Sequence, residues 1–165
     1  MSVIIRDDVD LAFLCDSIYQ ADELEQSHYE RCLEDLRQGK RAIYGAYYQG
    51  RPAGCVMLNW YPRYKVFRKL SIPEIQDLYV LPEYRKKGIG RHLIEYCEDT
   101  CRGKDLTQVG ISVGLNCSFG AAQRLYCNLG YKPDGMGITH DREPIDEKRP
   151  YFIDADLCLM MIKEL

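Results

Sequence analysis

The sequence predicts a mixed α/β fold, and three observations carry that prediction. Residues 73–97, PEIQDLYVLPEYRKKGIGRHLIEYC, read as a strand, a short basic loop and an amphipathic helix. Residues 41–60 read as a β-hairpin, in which RAIYGAYY and AGCVMLNW flank the turn segment QGRP. Further on, the strand pattern TQVGISVG at 107–114 is followed by a second helical pattern and then by a final apolar run, so strands and helices interleave along the chain.

The chain has 165 residues, which suits a single domain over 1–165 large enough to bury most of its apolar surface. Its formal net charge of −3 gives no reason to expect nucleic acid or a membrane surface as partner. No apolar run is long enough to span a bilayer, and MSVIIRDDVD lacks the pattern of a signal peptide. A cytoplasmic location is expected. The eight cysteines form no C-x-x-C and no Cys/His cluster with zinc-like spacing, so reduced structural thiols and no metal are expected.

Taken in order, residues 2–6 suit a short first strand, with Asp7 and Asp8 placed to cap a helix whose apolar face is Leu11, Leu14, Cys15 and Ile18. A second helix is predicted from Ser27, where Glu30 completes a capping box, with Cys32, Leu33 and Leu36 inward and Gly39 as its stop. The hairpin follows. Residues 61–72, YPRYKVFRKLSI, carry four cations among three aromatics and no acid. That stretch reads either as a recogniser of anionic or aromatic groups or as a solvated loop. After the strand at 107–114, Asn116 breaks the pattern and Ser118 is placed to cap a helix running to about Leu129, with Gly130 just past its end. An additional strand is possible near 131–139. The acidic residues Asp141, Glu143, Asp146 and Glu147 either attract a cationic amine or keep a loop soluble. The last run, FIDADLCLMMIKEL, is apolar on both faces and belongs well inside a sheet.

The stretch at 73–97 carries the chemistry. Pro82 cannot donate to a strand ladder, so the strand ends near it. Gly88 and Gly90 open the helix, whose buried face is Ile89, Leu93, Ile94, Cys97 and Cys101. The first amides of a helix have no intrahelical partner, and no Ser, Thr, Asp or Asn stands ready to cap them here. Two glycines allow close backbone approach, and Arg85, Lys86, Lys87 and Arg91 surround them. This combination points to a phosphate ligand. The P-loop and dinucleotide fingerprints are both absent, since Leu93 stands where the latter needs a third glycine.

The segment R-K-K-G-I-G resembles the [Q/R]-x-x-G-x-[G/A] pyrophosphate loop of GNAT-type, acetyl-coenzyme A-dependent N-acetyltransferases. The run SFGAAQRLYCNLGYKP resembles a second motif of that family, a helix that carries a tyrosine and ends in Leu-Gly-Tyr. The two matches stand in the family's order and together cover roughly 73–132. The resemblance implies a strongly twisted, mostly antiparallel mixed sheet with flanking helices. It implies acetyl-coenzyme A as co-substrate, with Arg85, Lys86, Lys87, Gly88, Ile89, Gly90 and Arg91 around its diphosphate. The strands at 75–80 and 108–114 would splay apart at one end, and the pantetheine arm would pair with backbone groups at Leu78 and Val80, with Asn116 also at the cofactor. A homodimer is common in the family.

An amine acceptor of ordinary pKa, about 10, must lose a proton before it attacks. Glu74 and Asp77 are the acids on the central strand. Glu74 stands eleven residues before Arg85, where several family members place a catalytic Glu; Asp77 is nearer the open end. Strand alternation puts the two on opposite faces unless a bulge intervenes, so one of them serves as base, Glu74 by preference, or a water relays the proton. The resemblance assigns the backbone N–H of Val80 to the oxyanion and Tyr126 to the departing thiolate. A tyrosine on that helix face is otherwise a core residue. A phenol of pKa about 10 donating to a thiol of about 8.5 is uphill by roughly 2 kcal/mol. Direct transfer is expected, without an acyl-enzyme. A non-catalytic acyl-coenzyme A sensor would share the loop and have no need of Tyr126. The identity of the amine is not legible in the sequence.

Overall fold

The computed structural model describes residues 3–7 and 23–165, and side chains of the first helix from Glu30 onward. The helix expected over 8–18, and the side chains of His28 and Tyr29, lie outside the described residues. The chain divides into two compact units, Met1–Trp60 with Ile75–Asp99, and Tyr61–Glu74 with Thr100–Leu165.

The first unit has β1 (Val3–Arg6), α1 (Glu23–Arg37), β2 (Arg41–Tyr48), β3 (Arg51–Asn59) and all of β4 (Glu74–Val80) but Glu74, which belongs to the second unit, followed by a 3-10 turn at Pro82–Tyr84 and by α3 (Ile89–Arg102) up to Asp99. Its strands lie in the order β1-β2-β3-β4, and β1–β2 and β2–β3 are antiparallel. The helix α1 begins at Glu23, so Ser27 lies inside it and is not its cap. Gly39 does end it: Gly39 N–H donates to Leu36 and Lys40 N–H to Asp35. The β2–β3 turn is tighter than the QGRP segment suggested. Gln49 and Gly50 are both left-handed, at φ +52° and +77°, which is what a two-residue hairpin requires. Pro52 then falls within β3, opposite a register shift between Ala46 and Tyr47, where a missing ladder donor is tolerated. Cys32, Ile43, Cys55 and Met57 form one buried cluster, with Leu36 and Tyr79 packed against it. The predicted inner face of α3, from Ile89 to Cys101, is buried throughout.

The second unit has α2 (Lys65–Leu70), β5 (Gln108–Gly114), a 3-10 turn at Cys117–Phe119, α4 (Gly120–Asn128), β6 (Lys132–His140), β7 (Glu143–Pro144) and β8 (Leu157–Glu164). Its strand order is β5-β8-β6-β7, with antiparallel pairs throughout. The extra strand near 131–139 is β6, and β8 has neighbours on both sides, which accounts for its two apolar faces.

Residues 61–72 are not a solvated loop. Tyr64, Phe67, Ile72 and Met160 form a buried cluster, and α2 brings Phe67 into it. The cations of this stretch meet the acids of the tail: Arg63 grips Asp141 through two N–H···O bonds of 3.1 Å each, and Lys65 meets Glu143 at 2.8 Å. Two segments read separately as binding an outside anion and an outside cation thus neutralise one another. Tyr64 donates to Asp134 at 2.6 Å, and burial together with that carboxylate pushes its phenol well above the usual range.

Candidate functional site

In the first unit, the loop after β4 has the backbone of an anion site. Lys86 and Gly88 are left-handed, at φ +61° and +80°, and alternate with residues of ordinary hand, a backbone pattern that suits a tight anion-binding turn. Glycine at 88 is required by conformation, since among the described residues an added Cβ would meet the His92 ring at an ordinary 3.6 Å. The helix α3 that follows has no acid in its first turn. His92 N–H closes that turn on Gly88 O at 3.1 Å, and the His92 ring Nδ1 lies 2.9 Å from the same oxygen.

The cations around the loop have distinct positions. Arg85 Nε donates to Val80 O at 3.0 Å and so braces the loop against the end of β4. Lys87 Nζ stands over Tyr48 at 4.9 Å and over Tyr84 at 5.3 Å from the ring centroids, holding an ammonium between two aromatic faces. Arg91 pairs with Glu95 one turn on, at 3.4 Å. A cavity of about 440 Å³ lined by Val3, Tyr48, Lys87 and His92 adjoins the loop. Leu78 and Val80 are half-buried on β4. Asp77, between Glu74 and the loop, is left-handed at φ +50°, so the regular alternation of β4 fails there. Asp77 lies within electrostatic reach of the buried Cys55, whose thiol is pushed up first by burial and then by that carboxylate.

In the second unit, α4 presents Tyr126. Asn116, and not Ser118, is the capping residue: its Oδ1 accepts from Ser118 N–H at 2.9 Å and opens the 3-10 turn that leads into α4. The other end explains the Leu-Gly-Tyr motif. Gly130, at φ +93°, sends its N–H to Cys127 O, and Tyr131 N–H returns to Tyr126 O, both at 3.0 Å. This is a Schellman closure, which needs a left-handed residue at Gly130 and brings the next side chain back over the helix. That side chain is Tyr131, whose ring centroid lies 6.1 Å from that of Tyr126. The motif fixes the tyrosine by local hydrogen bonding and packs a second ring beside it.

Burial, with a smaller effect from Cys158, pushes the Tyr126 phenol up to about 12. The folded state holds the Tyr126 proton more tightly than the unfolded chain does, so this contribution is complete below pH 10 and is lost as pH rises toward 12. Urea midpoints measured between pH 9 and pH 12 are expected to fall less steeply for Tyr126→Phe than for the unaltered protein.

Glu74 is fully buried, and Arg142 Nε donates to its Oε1 at 3.1 Å. Glu74 and Arg142 both act on Cys158, which burial pushes up to about 11, and Cys158 in turn acts on Tyr126. The two residues that the resemblance assigns to proton transfer are thus both coupled electrostatically to one thiol, and a guanidinium pairs with the first of them. Neither Arg142 nor Cys158 is marked by a sequence motif. Only the Asp-Arg pair following a strand pattern hints at a turn there.

The chain is a mixed α/β fold of mostly antiparallel strands with flanking helices, and comparison with known proteins identifies the class. Residues 9–131 match the model of the Acetyltransferase (GNAT) family, and the chain belongs to that family. An uncharacterised N-acetyltransferase of Chlorobaculum tepidum is 30% identical over 103 residues, covering 62% of this chain and 57% of that protein. The chain thus spans little more than half the length of this relative. Among solved structures, a ribosomal-protein-alanine N-acetyltransferase from Brucella melitensis superposes with a TM-score of 0.69 at 19% identity, over 98% of this chain and 99% of that one. A GNAT family acetyltransferase from Elizabethkingia anophelis, solved with acetyl-CoA bound, superposes with a TM-score of 0.64 at 18% identity, over 99% of this chain and 98% of that one. At these identities the structural likeness speaks to the fold.

Among the described residues no helix is long and apolar enough to cross a membrane.

Proposed function

We propose that the chain is an N-acetyltransferase that passes the acetyl group of acetyl-coenzyme A directly to a primary amine. The observation that carries this reading is the loop at 85–91, where left-handed backbone at Lys86 and Gly88 leads into the acid-free first turn of α3. The fit to a diphosphate is chemical: several N–H donors, a positive helix end, no acid in the first turn and cations on both sides. In this reading Leu78 and Val80 offer backbone groups to the pantetheine arm, Val80 N–H faces the developing oxyanion, and Asn116 supports the cofactor from the turn before α4. Tyr126 donates to the departing sulfur. Glu74 takes the proton of the amine, and because its carboxylate is buried the proton reaches it through a water. Asp77, whose carboxylate bears on the buried Cys55 thiol, is the less favoured base.

Thermal unfolding with acetyl-coenzyme A, and with NAD and ATP as controls, tests the loop. A ligand that binds only the native state at a hundred times its Kd adds about 2.7 kcal/mol, which for a chain of this size raises the midpoint by roughly 5–10 °C. Acetyl-coenzyme A alone is expected to give such a shift. Gly88→Val, which forces a β-branched residue to φ +80°, is expected to abolish it. No shift in the unaltered protein would remove the assignment.

A further inference from the structure

The turn between β6 and β7 consists of Asp141 and Arg142, both left-handed, at φ +47° and +64°, with His140 paired to Glu143 across it. A two-residue hairpin of this kind demands two left-handed residues, and Asn-Gly or Asp-Gly meets that demand with least strain. Asp141 fits the pattern, whereas Arg142 stands where glycine is favoured. A strained residue persists where its surroundings impose it, and such residues gather at functional sites. The surroundings here are specific. Arg63 fastens Asp141 through its two 3.1 Å bonds, and Lys65 fastens Glu143 at 2.8 Å, so the turn is clamped on both sides of Arg142. From that fixed point Arg142 Nε reaches Glu74 Oε1 at 3.1 Å, with its own side chain 21% exposed and that of Glu74 fully buried.

We infer that Arg142 is a positioning residue, which the clamped β6–β7 turn delivers to Glu74 so that the buried carboxylate stays charged and oriented to accept the proton of the acceptor amine. This rests on the reading of Glu74 as proton acceptor. Among the described residues, the groups that bear on Glu74 include Arg142 from the turn and Cys158 from β8, and Cys158 in turn feels the acids Asp154 and Asp156 from the segment before β8 and acts on Tyr126 of α4. Arg142 is the cation of this set. A buried carboxylate that loses its cation takes up a proton more readily, and a protonated carboxyl cannot act as a base. The signature of positioning is therefore a displaced pH–rate profile. A role confined to stability would lower the melting temperature and leave the profile where it is.

The test measures kcat and KM between pH 5 and pH 10 with a primary amine found active in a screen, using the acetyl-coenzyme A thermal shift as a check on folding and cofactor binding. Arg142→Gly removes the side chain and relieves the turn. Arg142→Gln keeps a donor without charge, and reads the same effect if the glycine variant does not fold. Arg142→Lys restores the cation. For the first two, kcat at pH 7 is expected to fall about 10–100-fold, and the acidic limb of kcat to move up by about one unit or more, with the cofactor shift retained. Arg142→Lys is expected to return the limb toward its original position. Arg142→Gly combined with Glu74→Gln is expected to be no slower than Glu74→Gln alone, since both act through one group. The inference is overturned if the folded uncharged variants keep the original limb, or if the double variant loses the product of the two single effects. A different failure belongs to the base reading: if Glu74→Gln itself keeps full kcat, Glu74 is not the proton acceptor and the role of Arg142 falls with it.

Discussion

Tyr126→Phe is expected to lower the rate of acetyl transfer by roughly 10²-fold and to leave the affinity for acetyl-coenzyme A unchanged. Two mechanisms give different sizes, and the phenol's environment decides between them. Full general-acid catalysis contributes about 10²–10⁴-fold. A hydrogen bond to a developing charge contributes about 1.5–3 kcal/mol, or roughly 10–150-fold. With the Tyr126 phenol at about 12 and a departing thiol near 8.5, complete proton transfer is uphill by roughly 5 kcal/mol. That is well above the roughly 2 kcal/mol that an unperturbed phenol would face. On the proposed function, Tyr126 would serve the departing sulfur as a hydrogen-bond donor that keeps its proton, and the expected effect belongs near the overlap of the two ranges. The loss should appear in kcat and not in the cofactor thermal shift. It should also persist without a new alkaline limb below pH 10, because the tyrosine stays protonated throughout that range. A sensor that merely binds acyl-coenzyme A would lose nothing, so an unchanged rate would point to that alternative. Tyr131 adds a control. Its ring lies beside Tyr126 by virtue of the Schellman closure, so Tyr131→Ala should loosen the tyrosine and lower the rate by less than Tyr126→Phe does.

The parts of this molecule that were legible in the sequence are those fixed by local rules. Strand β4, the glycine loop and helix α3 follow from a proline, two glycines and a helical apolar period, all within thirty residues. The end of α4 follows from Leu-Gly-Tyr for the same reason, because a Schellman closure involves only six residues. The less legible parts depend on partners far away in the chain. Residues 61–72 carry four cations and read as a loop, but their acids are at 141 and 143 and their apolar partner Met160 is on β8. Once those arrive, the stretch is half helix, with a buried phenylalanine. The same distance hides Arg142, which is 68 residues from Glu74. Asn116 shows a smaller limit. Asn and Ser at 116 and 118 are both good caps, and propensity alone does not choose between them. At Asp77 strand alternation was the right default, and a single left-handed residue cancels it.

Phe67→Ala is expected to remove about 3–5 kcal/mol of stability, toward the upper end of that range. Phe67 is fully buried, and its ring lies edge-on to Tyr64 at 4.9 Å with an interplanar angle of 86°. Ile72 and Met160 complete the cluster, with Val66 and Ile162 beside it. The floor under the ring is backbone: a Cβ built on Gly110 would stand 2.1 Å from the Phe67 ring, so the strand is bare there to admit it. A wall made of β5 backbone, hydrogen-bonded to β8 along its length, cannot close over the cavity, and a cavity that cannot collapse costs more. Against a typical total of 5–15 kcal/mol the loss is severe, and the melting temperature should fall by roughly 10 °C or more. The geometry makes a sharper statement about the pair. Gly110→Ala alone overpacks the ring and should cost about 1–3 kcal/mol. In the Phe67→Ala background the same methyl group enters empty space and should stabilise. Urea unfolding of the two single variants and the double variant should therefore give a coupling of at least about 1 kcal/mol, with Gly110→Ala changing sign between backgrounds. Additive losses would mean that the ring and the bare strand are not in the contact described. Because α2 places Phe67 in this core and carries Lys65 at its first position, the Phe67→Ala variant should also loosen the clamp on the β6–β7 turn. Its residual activity at low temperature should then show the same displaced acidic limb as the uncharged Arg142 variants.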